Sequence, residues 1–329
     1  MSTLVGVGVG PGDPELVTVK AVRVLREADV IFVPVMAGPG DRSAGPGRAE
    51  TTIRAHVPAE RIRLVPFALN DTGGVTPRRA AAWQAAAAGV AQAFAAGAGT
   101  VAFGTIGDPN LYSTFSYLAQ TVRALVPGVT IETVPGITAM QDLAARSATS
   151  LAEGDEPLTL LPLTAGADAF RRALAGPGTV VAYKLGAAAG PTPAEVAGIL
   201  TTHGRLDGAV AGARLGLPGQ DIRPAAALAS LPAVPYLSTL IVPAPHRTTP
   251  GSSLTTTQPT PTTTQPTPTR GAPGTPGTPG TPGTPVTPGT PGTPVTLSTP
   301  STPSDPKAPP APDRPAPDTP AAPNTPETQ

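Results

Sequence analysis

The chain contains no cysteine, which excludes disulfide scaffolds, thiolate metal sites, iron–sulfur clusters and cysteine nucleophiles together. Aromatic residues are only 3% of the chain, and histidine occurs three times. Lysine is confined to Lys20, Lys184 and Lys307. Lys+Arg and Asp+Glu are both 22, so no charge of either sign is in excess. A neutral chain has no electrostatic footprint for a phosphate backbone, and no nucleic-acid partner is expected. No apolar run approaches the roughly 20 residues that a membrane span needs, so no membrane is expected either. The opening Met1-Ser2-Thr3-Leu4 lacks the basic and apolar regions of a signal peptide, which makes the cytoplasm the expected compartment.

Proline and glycine are abundant instead, with 46 and 37 among 329 residues. Composition breaks near Arg247. Beyond it come Thr, Pro, Gly, Ser and Ala almost exclusively, without Phe, Tyr or Trp. Such a segment has too little apolar surface to offset its ordering entropy. Residues 248–329 are therefore expected to be a disordered tail of polyproline II character. Its Gly-every-third run, Gly271 to Pro285, admits a collagen-like triple helix. Val286 and Val295 break that frame, and a plain extended tail is the simpler reading. An O-glycosylated stalk would need an export signal.

The body alternates strands and helices. Leu4–Val9 reads as a buried strand. Asp13 reads as the cap of a helix with Pro14 at its first position, continuing from Val17 to Glu27. Val30–Val33, Thr100–Phe103 and Val129–Val134 read as strands. Thr76 and Pro77 open an Ala-rich helix to about Ala96, and another helix follows Thr138. On the Ala-rich helix Trp83, Ala87, Val90 and Phe94 share one face, which predicts core packing. A second set of strands and helices runs from Leu158 to Val242. The pattern predicts an α/β fold of two α/β domains, residues 1–152 and 153–247, with a linker around Leu151–Glu156.

The glycine-rich run Gly6-Val7-Gly8-Val9-Gly10-Pro11-Gly12-Asp13 sits between strand and helix, the setting of a dinucleotide fingerprint. The strict pattern fails. Counting from Gly6, the third glycine is replaced by Pro11; counting from Gly8, by Asp13. Asp29 precedes the second strand, whereas a ribose ligand would end it. The glycines fit a tight turn, or a close approach of backbone or of a flat ligand.

Three stretches in order resemble the tetrapyrrole methylases, which use S-adenosylmethionine. They are Val5–Ala21 with its Gly-Pro-Gly-Asp-Pro-Glu-Leu core, Gly107-Asp108-Pro109 after an apolar strand, and Val134-Pro135-Gly136-Ile137-Thr138-Ala139. Within that family, Gly107–Phe115 with its Leu111-Tyr112-Ser113-Thr114-Phe115 ending, and Pro235–Val242, are similar to the methyltransferases that act on carbon 20 of precorrin-2. Leu237 stands where that subfamily more often has Phe, and the tail has no counterpart in the family pattern. The resemblance implies a cofactor cleft between two domains, a homodimer, and a tetrapyrrole substrate bearing eight carboxylates. A cobalt-bearing ring is the alternative acceptor, and another methylase of this fold is a further one. A cofactor-binding scaffold that uses the tail for interaction is the reading from a different class.

Carried over by resemblance, the cofactor site comprises Pro11, Ile106, Gly107, Asp108, Thr138, Ala139, Tyr183, Lys184, Leu185, Ala211 and Ser238. The substrate side comprises Gly12, Asp13, Arg42, Ser43, Arg48 and Tyr112. Simpler readings stand beside these. Pro11 could only stiffen a loop, Asp108 could be a turn residue, Thr138 a helix cap and Tyr112 a core tyrosine. Arg42 and Arg48 could be solvated charges, and that reading is preferred for Arg78 and Arg79. Lys184 is expected to act through its backbone. Methyl transfer from a sulfonium needs no metal or covalent nucleophile, and none is assigned. No residue is assigned as the base that removes the proton from carbon 20, and His56, His203 and His246 are left without a role.

Overall fold

The computed structural model describes residues 1–36, 47–68 and 75–245. Arg42, Ser43, His246 and the 248–329 tail lie outside these residues. The first five strands are β1 Thr3–Gly8, β2 Val30–Met36, β3 Ile62–Phe67, β4 Thr100–Thr105 and β5 Thr130–Val134. They form one sheet in the order β3-β2-β4-β1-β5, parallel throughout. Helices α1 Val19–Glu27, α2 Arg48–Arg54, α3 Pro77–Ala95 and α4 Phe115–Leu125 connect these strands. Side chains alternate across β1, so Leu4 joins Phe32, Trp83, Val90, Phe103 and Phe115 on one face. Val5 and Val7 join Leu25, Ile31 and Ile53 on the other. The predicted stripe on α3 is core: Trp83, Ala87 and Val90 are buried, and Phe94 packs against them.

The remaining strands are β6 Leu158–Pro162, β7 Thr179–Tyr183, β8 Val210–Ala213, β9 Asp221–Pro224 and β10 Thr239–Val242. Their order is β6-β7-β10-β8-β9. β6 and β7 are parallel, while β10 runs antiparallel to β7 and β8, and β9 antiparallel to β8. This second sheet is therefore mixed rather than a copy of the first. The connection from β8 to β9 is too short for a crossover helix. Helices α6 Ala167–Leu174 and α7 Pro193–Thr202 cover one face, with Phe170, Leu174, Val196 and Leu200 in the core.

Helix α5, Ala139–Arg146, follows the first sheet in sequence but packs on the second. Leu143 and Ala144 sit among Val181, Val210 and Ile241. Gly212 in β8 makes room for it, because a Cβ there would fall 2.6 Å from Leu143 Cδ1. The helix predicted to begin at Asp13–Pro14 is two elements. Asp13 caps a 3-10 turn, Pro14–Leu16, and α1 starts only at Val19. Thr18 is extended, and its hydroxyl accepts from Ala21 N, so the β-branched pair Val17-Thr18 breaks the run and caps the second piece.

Candidate functional site

The loops after β1, β4 and β5 converge at the C-terminal edge of the first sheet, where parallel α/β sheets bind ligands. The approach is backbone to backbone. Gly107 N donates to Gly10 O at 2.7 Å, closing a bridge between the two loops. A Cβ on Gly8 would lie 2.6 Å from both Gly107 O and Gly136 N. Gly107 itself has φ +69, and a Cβ there would meet nothing within 4 Å. The glycine thus faces open space beside the junction, which lets a ligand come against bare backbone.

Asp108 is committed to building this junction. Its Oδ1 accepts from Asn110 N at 2.8 Å and its Oδ2 from Gly136 N at 3.0 Å. Thr138 is buried and forms a reciprocal capping box with Gln141 at the start of α5. Ala139 is the first residue of that helix and packs against the Leu143 cluster. Ile106 packs partly buried beside β1. Pro11 and Gly12 are buried, and Gly12 O accepts from Thr52 Oγ1 at 3.2 Å. Asp13 accepts from Glu15 N at 2.9 Å and from Arg146 Nη2 at 3.1 Å.

Facing this edge from the second sheet are Tyr183 and Lys184. The Tyr183 hydroxyl accepts from Met140 N at 3.1 Å and is also hydrogen-bonded to Thr138. Burial pushes its phenol pKa up, against those two bonds. Tyr112 stands edge-on to Tyr183, with centroids 5.9 Å apart, and Lys184 Nζ lies 5.4 Å from the Tyr112 ring centroid. Tyr112 has φ +50 and Lys184 φ +61, a conformation non-glycine residues avoid and that clusters at functional sites. Tyr112 is 46% exposed. It is held from below: Ser113 Oγ lies 3.1 Å from Thr105 Oγ1 and accepts from Phe115 N. Burial lowers the Lys184 pKa, and the nearby Arg79 lowers it further. Burial raises that of Tyr236, opposed by the same Arg79.

Arg79 lies over the stacked rings of Trp83 and Tyr117, 5.2 and 5.7 Å from their centroids. It is therefore neither a plain surface charge nor remote from the cleft. A second cationic pair, Arg48 and Arg214, comes from the two segments that touch Gly12 through Thr52 Oγ1 and Leu215. Arg48 is held below its ordinary pKa by burial and then by Arg214. Neither guanidinium has an acidic partner among the described residues. Arg214 was missed in the sequence; its place just after β8 was the available signal. Tyr236 stood inside the quoted Pro235–Val242 motif but received no role. Three expected residues are built into the scaffold. The Leu185 side chain is in the core, Ala211 lies inside β8 with a strand on either side, and the Ser238 hydroxyl donates to Pro235 O at 2.6 Å.

Comparison with known proteins places the chain in a family. A family profile described as Tetrapyrrole (Corrin/Porphyrin) Methylases matches residues 3–231. The precorrin-2 C(20)-methyltransferase of Sinorhizobium sp is 33% identical over 246 residues, covering 73% of this chain and 94% of that protein. The cobalt-precorrin-2 C(20)-methyltransferase of Salmonella typhimurium is 29% identical over 250 residues, covering 73% and 95%. The cobalamin biosynthesis protein CobIJ of Mycobacterium tuberculosis is 35% identical over 247 residues, and the chain spans about half of that relative, 46% of its length. Among solved structures, the methyltransferase CobJ aligns with a TM-score of 0.52 at 21% identity, over 76% of this chain and 98% of that one, which speaks for the fold. The chain belongs to the tetrapyrrole (corrin/porphyrin) methylases, S-adenosylmethionine-dependent methyltransferases of two-sheet α/β fold.

Proposed function

We propose that the chain methylates carbon 20 of precorrin-2, giving precorrin-3A and S-adenosylhomocysteine, a step in building the corrin ring of cobalamin. The observation that carries the reading is the turn Tyr112-Ser113-Thr114-Phe115. Ser113 ties it to Thr105 and to the start of α4, and it lifts Tyr112 between Tyr183 and Lys184 at the cleft rim. Relatives that cover nearly their whole length with this chain act at that carbon.

S-adenosylmethionine, when bound, supplies an activated sulfonium methyl group. The task left to the protein is alignment and exclusion of water, where an error of about 1 Å costs on the order of 100-fold in rate. In this reading Pro11, Ile106, Gly107, Thr138, Ala139 and Tyr183 hold the cofactor, mostly through backbone. Asp108 serves by fixing Gly107 and Gly136. Gly12, Asp13 and Tyr112 face the acceptor. Arg48, Arg214, Arg79 and Lys184 offer cations to its carboxylates, a role for which guanidinium forks are suited. A homodimer with the cleft inside each protomer completes the proposal.

The test is a single-turnover assay with labelled S-adenosylmethionine and enzymatically prepared precorrin-2, with and without cobalt. Label at carbon 20 of the metal-free ring is expected. Transfer that requires cobalt would reassign the acceptor, and transfer to neither ring would overturn the substrate.

A further inference from the structure

Helix α5 has two working faces. Leu143 and Ala144 anchor one to the second sheet, while Asp142 and Arg146 turn the other toward the loop after β1. Arg146 holds two carboxylates at once. Its Nε donates to Asp142 Oδ1 at 2.6 Å, and its Nη2 to Asp13 Oδ2 at 3.1 Å. Asp13 is 133 residues away in sequence, and both of its carboxylate oxygens are engaged. Glu15 N binds its other oxygen, and Gly216 presses on its backbone, where a Cβ would fall 2.6 Å from Asp13 Cβ. Gly12 is pressed in the same way, 2.8 Å from Leu215 O by its own Cβ position.

An ordinary exposed ion pair contributes little, and this one has features that such a pair lacks. Asp142 is 4% exposed, and its Oδ2 has no hydrogen-bond partner. A buried carboxylate oxygen left without a donor is a cost in stability. What the chain gains is a guanidinium whose Nε is held by Asp142 while Nη2 reaches Asp13. The same helix begins at Thr138 and Ala139, beside Gly136 and the Tyr183 hydroxyl.

We propose that Arg146 is a positioning residue for methyl transfer. Acting through Asp13, it fixes the Gly10–Asp13 loop relative to the first turn of α5, so that the acceptor side and the cofactor side of the cleft stay in register. Asp142 aims the guanidinium. The proposal rests on the methyltransferase reading above and adds a residue to it.

The test uses the full chain as Arg146→Met, Arg146→Lys, Asp13→Asn and the Met/Asn double variant. In Arg146→Met the KM for the tetrapyrrole is expected to rise about tenfold, with the KM for S-adenosylmethionine within about twofold. Arg146→Lys, which keeps the charge and the fold, is expected to recover part of the loss. The double variant should be no worse than Asp13→Asn alone, the non-additivity expected of residues that act as one unit. Hydrogen exchange gives a readout that needs no substrate: the amide of Glu15 is expected to lose protection in Arg146→Met. Additive effects, a parallel rise of both KM values, or unchanged protection at Glu15 would each overturn the proposal. A wild-type chain that methylates no tetrapyrrole would overturn the substrate reading instead, and the exchange measurement would still decide the coupling.

Discussion

At Gly8 the chain has room for a hydrogen and nothing more. An alanine there would set its methyl 2.6 Å from Gly107 O and Gly136 N, both backbone atoms that no rotamer change can move. The strand ends must then separate, and overpacking of this kind costs about 1–3 kcal/mol. Gly8→Ala is expected to lower the urea midpoint accordingly and to reduce methyl transfer further, because Gly107 borders the cleft. An unchanged midpoint would show that the three strand ends yield cheaply. The glycines of this loop were legible in the sequence as a close approach of backbone, and the failed dinucleotide spacing was legible too. What was not legible is which residues the fold brings together. They come from elements far apart in sequence: tertiary packing sets Arg79 near Tyr236, Arg214 near Arg48 and Arg146 against Asp13. Asp108 reads in the sequence as a contact residue, with a turn residue as the simpler alternative; its carboxylate accepts from Asn110 N within the turn and from Gly136 N across the junction.

Asp29 shows the same economy between elements. It sits just before β2, and its carboxylate accepts from Gly99 N and Thr100 N, both at 2.9 Å, at the start of β4. Those two amides, with a smaller contribution from Arg61, hold its pKa below the ordinary 3.8. A carboxylate with a depressed folded pKa adds stability that is complete above its unfolded pKa and lost as pH falls through the folded value. The stability gap between the wild type and Asp29→Asn is therefore expected to be constant near neutrality and to close as pH drops below 3.8. Denaturant titrations across that range check it; a gap independent of pH would assign the contribution to shape rather than charge. The long, well-capped α3 was readable from its Thr76-Pro77 opening and apolar spacing. The elements that escaped notice have physical reasons to be faint. β3 and β9 are sheet-edge strands carrying Pro66 and Pro224, which edges tolerate. α2 is seven residues long, with three β-branched side chains in it.

For the molecule as a whole, the last described strand is closed by two hydrogen bonds just beyond it. Buried Arg205 donates to Leu174 O, Gly176 O, Gly178 O and Pro243 O, tying the end of α6, the approach to β7 and the exit from β10 to one cation. Ala244 N donates to Thr179 Oγ1 at 3.1 Å. Burial lowers the Arg205 pKa, and with no carboxylate partner among the described residues its guanidinium relies on those carbonyls. The family match ends at residue 231, and the C(20)-methyltransferase relatives each cover 73% of this chain. Two truncations separate the enzyme from its tail. A chain ending at Arg247 keeps Pro243 and Ala244 and is expected to melt within about 2–4 °C of the full chain, the shift that 1 kcal/mol produces at this size. It should also transfer methyl at the full rate. A chain ending at Val242 takes an acceptor from Arg205 and a donor from Thr179. Leaving a buried charged donor short of a partner costs about 1–3 kcal/mol, so a clearly lower melting temperature is expected. Loss of activity in the chain ending at Arg247 would show that the tail works in catalysis, and equal stability of the two would show that Arg205 does not need Pro243.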